Sequence, residues 1–425
     1  MSLDVNDKSF WDASQLETEL KRVSDICNGC RRCYNLCPSF NDLIDRLDTE
    51  AVDGDAEKLT GHDFKSVTDL CYQCKLCYNH CPYTPPHRWG IDFPRLMMRS
   101  KAVETKNQGQ SRQDRFLGQV DRLGKLGSMF APLANWLNRN ALNRWMMEKF
   151  LGIHRERILP SYASETFRSW FDKRSPVTTS DAGNKAALFY TCTVNYNEPE
   201  VGRSCVRVLE KSGIRVAAPE QRCCGMPFLD GGDIESTKTN ARMNVESLYR
   251  LVQQGYDIVV PGPTCSYMLK REYPTLIEGE AVKKVAARTF DICEYLMRLH
   301  GEGKLNTSFS NPMGRIAYQI PCHLRAQNIG FKSRDVMQLI PGTNVQVIEK
   351  CAAIDGTWGL KQQYFDLSVK VAEPLLRDIR DGRPDFVVSD CSLAGLQIQQ
   401  GMGQKPLHPI QILERAYGPA GDAKS

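Results

Sequence analysis

Residues 27–38, CNGCRRCYNLCP, and residues 71–82, CYQCKLCYNHCP, share one pattern, C-x-x-C-x-x-C-x-x-x-C-P. Three thiolates at two-residue spacing wrap three corners of an iron–sulfur cubane, and the fourth reaches across to a neighbouring cluster. The spacing therefore pairs Cys27, Cys30 and Cys33 with Cys81 around one cluster. It pairs Cys71, Cys74 and Cys77 with Cys37 around a second. C-x-x-C pairs also occur in zinc sites. Four tightly packed cysteines, the trailing Pro38 and Pro82, and the full repeat favour two [4Fe-4S] clusters over zinc. The chain is expected to carry electrons.

Working outward, the interval between the runs is long and acidic. Residues 38–70 hold nine carboxylates against Arg46, Lys58 and Lys65, and Leu43, Ile44 and Leu47 recur with a helical period. This favours a helical two-cluster ferredoxin domain over residues 1–100 rather than the compact β type. The first ten residues are polar, with no apolar core of a signal peptide. No run approaches the ~18 apolar residues of a spanning helix. The seventeen cysteines fall in metal-ligand clusters rather than a disulfide scaffold, which fits a reducing cytoplasm.

Residues 101–183 read as a basic helical connector. Phe116, Val120, Leu123, Gly127, Phe130, Leu133 and Leu137 recur at three- and four-residue steps, and Leu142, Trp145, Met146, Phe150 and Ile153 continue the series. Pro132 is expected to break or kink it. Residues 101–175 carry fourteen Lys or Arg against seven acids. The positives are dispersed and no nucleic-acid motif accompanies them, so nucleic acid is not an expected partner. An amphipathic segment of this kind either lies on a membrane surface or packs on the protein itself or a partner subunit.

From residue 184 short β-branched runs alternate with helical ones, which predicts parallel βαβ units. The region repeats. Strands over Ala187–Thr191, Ile214–Ala218 and Asp257–Val260 lead to Cys192, Cys223–Cys224 and Cys265. Strands over Arg315–Ile320, Val345–Lys350 and Asp385–Ser389 lead to Cys322, Cys351 and Cys391. The cysteine separations are 31 and 42 residues in one copy and 29 and 40 in the other. The tails, residues 290–296 and 408–414, are loosely alike. The copies are assigned to residues 184–310 and 311–425. Carboxyl ends of parallel strands converge, so Cys192, Cys223, Cys224 and Cys265 form a candidate metal or cluster site. Gly225 would let backbone approach it. Cys205 and Cys293 fall inside helical stretches and read as structural.

Cys223-Cys224-Gly225 between single cysteines, in a duplicated domain, resembles the cysteine-rich CCG domain found in the B chain of heterodisulfide reductases. The full arrangement resembles the C-chain family of anaerobic glycerol-3-phosphate dehydrogenases, and is similar to iron–sulfur subunits of glycolate and lactate oxidation systems. The resemblance rests further on Phe167-Arg168-Ser169-Trp170, Val194-Asn195-Tyr196-Asn197, Glu272-Tyr273-Pro274, Pro321-Cys322-His323 and Gly356-Thr357-Trp358-Gly359. Family CCG domains can carry a further C-x-x-C cysteine; Met268 replaces it in the first copy, leaving four thiols. In the second copy the motif has become Cys351-Ala352-Ala353, and Ala394 stands where the last cysteine could be. Cys322, Cys351 and Cys391 remain, enough for an altered cluster with His323 or an open iron, or for none.

No G-x-G-x-x-G turn or Walker phosphate loop is evident; Gly401-Met402-Gly403 lacks the third glycine. An organic substrate would thus be oxidised by another subunit. The resemblance implies an electron-transfer subunit taking electrons from a flavoprotein partner through two [4Fe-4S] clusters and a third, CCG-domain cluster toward a quinone. It also implies a peripheral position at the inner face of the cytoplasmic membrane. The alternative it offers is a heterodisulfide-reductase-like enzyme that cleaves a disulfide at the CCG cluster.

Overall fold

The computed structural model describes residues 3–175, 184–354 and 356–418. The expected boundary between residues 183 and 184 lies at the edge of a segment outside the described residues, as does the C-terminal end of the second copy.

The N-terminal region is helical. Helix Ala13–Cys30 is capped by Asp12 and ends on Arg31, whose backbone is left-handed (φ 50°). Helix Pro38–Leu47 opens on Cys37 with proline in its first turn, a position where the missing N–H costs nothing. Its Phe40, Leu43, Ile44 and Leu47 are buried, as the three-and-four spacing requires. They pack with Phe64 and Val67 of helix Gly61–Leu70 and with Phe93, Leu96 and Met97 of helix Phe93–Gln108. That last helix runs through residue 100.

The connector forms helices Arg112–Gly118, Val120–Met129, Ala131–Leu137, Ala141–Leu151 and Phe167–Lys173. Pro132 sits in the first turn of Ala131–Leu137, so it separates two helices rather than kinking one. Gly124 and Gly127 press helix Val120–Met129 onto the rings of Tyr196 and Tyr162; a Cβ on Gly124 would lie 2.2 Å from Tyr196.

Two parallel sheets follow. Strands β1 (Lys185–Leu188), β2 (Arg215–Ala217), β3 (Asp257–Val260) and β4 (Thr289–Asp291) are ordered β2-β1-β3-β4. Strands β5 (Gly314–Gln319), β6 (Thr343–Ile348) and β7 (Phe386–Ser389) are ordered β6-β5-β7. Every pairing is parallel. Ala186–Leu188 and Ile258–Val260 are fully buried, as strands covered on both faces must be. The expected strand at 187–191 is shifted to 185–188, because Thr191 turns left-handed (φ 57°) ahead of Cys192. The strand expected at 345–350 starts and ends two residues earlier.

Strand β4 lies in the tail whose only sequence signal is its likeness to residues 408–414. In the second copy a single parallel bridge, Val388 to Leu407, stands where β4 pairs in the first. The likeness of the tails is that of two caps: Asp291 caps helix Ile292–Gly301 and His408 caps helix Pro409–Ala416. One apolar core spans both copies, joining Val206, Leu209 and Leu296 to Ile316, Val336 and Ile412.

Candidate functional site

Three groups of thiols converge. In the first, Cys27 and Cys30 occupy the last turn of helix Ala13–Cys30, and the left-handed Arg31 turns the chain so that Cys33 folds back. Cys81 arrives from the end of helix Leu76–His80. The four line an apolar cavity with Ile26, Phe40, Ile44 and Ile91. Burial, with Cys33, Cys81 and Cys30 adding, pushes the Cys27 thiol up to about 12; burial and Cys81 push Cys33 to about 11. The Tyr83 N–H donates to Cys81 Sγ at 3.4 Å.

Cys37, Cys71, Cys74 and Cys77 form the second group. Burial and then Cys71 raise Cys37 to about 12, and burial and then Cys37 hold Cys74 far above its ordinary range. Cys77 feels Cys74, Cys71, Cys37 and also Cys33, so the first two groups adjoin. Gln73 and Lys75 are left-handed, which wraps the C-x-x-C loop. Gln73 Nε2 donates to Cys71 Sγ at 3.4 Å. Lys75, 5% exposed, donates to Gln73 Oε1 and pairs with buried Glu272 at 3.2 Å; Arg95 also reaches Glu272 at 3.2 Å.

The third group is the far-apart set. Cys192, Cys223, Cys224 and Cys265 form a continuous chain of thiol–thiol contacts at the carboxyl edge of the first sheet. Gly225 is left-handed (φ 91°) and packs against Thr237. The backbone of the cysteine pair is held by side chains. Asp121 Oδ2 accepts from Cys223 N at 2.7 Å, Asn240 donates to the Cys223 carbonyl, and Tyr273 O–H donates to the Cys224 carbonyl at 3.0 Å. Asn244 in turn donates to the Tyr273 oxygen.

The second-copy cysteines follow β5, β6 and β7, and two of them face other groups. Cys351 Sγ lies 3.4 Å from the Tyr72 hydroxyl and acts on Cys37 and Cys74. Cys391 acts on Cys265. The two ring nitrogens of His323 are 2.9 Å from Thr264 Oγ1 and 3.0 Å from the Gln73 carbonyl, so it ties both copies to the second cysteine run. Cys205 and Cys293 are wholly buried in helices.

Five of the eight non-glycine residues with left-handed backbone among the described residues lie within two positions of these cysteines: Arg31, Gln73, Lys75, Thr191 and Ala353. Such backbone clusters at functional sites. Spacing does not announce it, nor the roles of Asp121, Asn240 and Lys75. Glu272 and Tyr273 belong to one of the quoted motifs, which assigns them no task. Soft thiols gathered in dry, apolar surroundings fit iron–sulfur ligation, in which the metal's charge holds them as thiolates.

Fold and site define an iron–sulfur protein with a ferredoxin-like domain ahead of two cysteine-rich domains. Residues 20–107 match the citrate utilization protein B Fer4-like domain, and residues 186–270 and 316–399 each match the cysteine-rich CCG domain. The chain resembles the C chain of the anaerobic glycerol-3-phosphate dehydrogenase of Escherichia coli K12, at 29% identity over 71% of this chain and 76% of that protein. It is also similar to lactate utilization protein A of Halalkalibacterium halodurans, at 27% identity over 54% of this chain and 96% of the relative. The B chain of the CoM/CoB fumarate reductase of Methanothermobacter marburgensis is 28% identical over 55% of this chain and 47% of its own length. The relatives matched in this way include named subunits of a dehydrogenase and of a reductase. No helix among the described residues is long and apolar enough to cross a membrane.

Proposed function

We propose that this chain passes electrons from a flavoprotein partner to a membrane quinone. Cys27, Cys30, Cys33 and Cys81 would hold one [4Fe-4S] cluster, Cys71, Cys74, Cys77 and Cys37 a second, and Cys192, Cys223, Cys224 and Cys265 a third. Cys322, Cys351 and Cys391 are the remaining candidate ligands, in a copy whose motif is reduced. When bound, such clusters supply one-electron acceptance and release at potentials their surroundings set. The chain's own residues shape that environment. Lys75 brings a buried positive charge beside the second group, and Tyr83 N–H and Gln73 donate to cysteine sulfurs.

The observation that carries the reading is the seat of the second cysteine run. Gln73 meets His323, Lys75 meets Glu272, Tyr72 meets Cys351, and Asn79 donates to the Arg325 carbonyl. The run thus touches both cysteine-rich copies, which favours exchange between the ferredoxin-like region and the third group. The connector supports a membrane-facing exit. Met129, Phe130, Leu133, Trp136, Leu142 and Phe150 are 54–77% exposed; Arg122 and Lys125 shortly precede them, and Arg139 and Lys149 lie among them in sequence.

The test mixes anaerobic, dithionite-reduced protein with quinone-loaded anionic vesicles. Reoxidation by the parent, loss of that reaction in Cys223→Ser, and weaker vesicle binding by Phe150→Glu are the expected results. Reoxidation by a disulfide but not by quinone would instead favour the disulfide-cleaving enzyme.

A further inference from the structure

Between the two copies lies a buried cluster of metal-competent side chains that belongs to none of the three thiol groups. Donor atoms of Asp291, Cys293 and Asp390 lie within 4.8 Å of one another. The residues are 0%, 0% and 2% exposed. Asp291 ends β4 and Cys293 sits in the first turn of the helix it caps, both in the first copy; Asp390 follows β7 in the second.

The oxygens are unequally used. Asp291 Oδ1 accepts from the Cys293 N–H at 2.9 Å, whereas Asp291 Oδ2 is buried with no hydrogen-bond partner. Asp390 is oriented on both sides: Tyr318 O–H donates to Oδ2 and Ser333 O–H to Oδ1, each at 2.6 Å. The neighbouring cation, Lys270, is engaged by Glu294. Two carboxylates in a dry seam are costly without a counter-charge. An orphaned oxygen, a thiol and a carboxylate held by outer hydroxyls have the features of a metal site with its supporting shell.

We propose that Asp291, Cys293 and Asp390 bind one zinc-type divalent cation that pins the first cysteine-rich copy to the second. The mixed oxygen and sulfur donors select the ion. Calcium and magnesium take oxygen ligands in larger number, whereas zinc accepts carboxylate and thiolate together in a four-coordinate shell. The site is structural, since its three residues are closed to solvent.

Elemental analysis of the anaerobically purified full chain, with X-ray absorption at the zinc edge, tests this. The expected result is about one zinc per chain with a mixed oxygen and sulfur shell. Asp291→Asn and Cys293→Ala should each lose the zinc while iron content and cluster spectra stay at parental levels. Zinc-free parent protein with full iron would overturn the proposal and leave the two carboxyls sharing a proton. A sulfur-only zinc shell would overturn it too, because the ion would then sit at cluster cysteines. The absorption measurement needs no variant, so it decides the matter even if a substitution fails to fold.

Discussion

Lys75, Glu272 and Arg95 illustrate how single residues couple one cysteine group to the rest of the protein. Lys75 lies between two cysteines of the second run, yet its partner belongs to the first cysteine-rich copy. Glu272 is 2% exposed and answers two cations at 3.2 Å each. Removing its charge while keeping its shape leaves Lys75 buried and Arg95 half-paired. Breaking a buried pair from one side typically costs about 3–5 kcal/mol. Glu272→Gln is therefore expected to lower the unfolding free energy of the anaerobic protein, measured by denaturant titration, by that scale, and Arg95→Gln by less, because Arg95 is partly exposed. Equal and small effects for both would remove the buried pair from the explanation.

At the scale of elements, the caps of two equivalent helices divide the work. Asp291 caps the first-copy helix and His408 the second-copy one, and His408 reaches back to the first copy through its ring. Its Nδ1 accepts from the Ile410 N–H at 3.1 Å and its Nε2–H donates to the Pro261 carbonyl at 2.8 Å. A proton on Nδ1 would oppose the Ile410 N–H. Burial, the largest influence, lowers the His408 pKa below 6.5. The unfolded chain then binds a proton that the folded chain refuses, so stability is full above about pH 6.5 and declines as pH falls below it. His408→Asn keeps a capping side chain without the titration. Unfolding followed from pH 7.5 down to about 5 should show a shallower acid decline for the variant than for the parent; parallel declines would assign the acid sensitivity elsewhere.

The whole molecule was legible wherever chemistry imposes spacing. Two cysteine runs and the Leu43, Ile44 and Leu47 period between them pointed to a helical ferredoxin-like region, and short apolar runs leading to cysteines marked six of the seven strands near their observed positions. The seventh, Thr289–Asp291, is three residues long and carries no alternation to betray it. The first two thiol groups could be proposed from cysteine spacing alone, and the third because parallel strands bring their carboxyl ends together. Cys351 beside Tyr72 and Cys391 toward Cys265 were not, since they depend on how the second copy docks on the ferredoxin-like region and on its twin. Left-handed Gln73 and Lys75 escaped for a similar reason: a non-glycine φ above zero is imposed by the loop's closure, not by residue type.

In the proposed function three thiol groups, one assembled across the first sheet edge, hold clusters in a single relay. Iron quantification with an EPR-monitored redox titration on anaerobically purified protein tests it most directly. A relay of three clusters gives about twelve irons per chain and a third signal that disappears in Cys224→Ser. About eight irons with only two cubane signals, unchanged in Cys224→Ser, would contradict it and leave the cysteine-rich copies as docking domains alone.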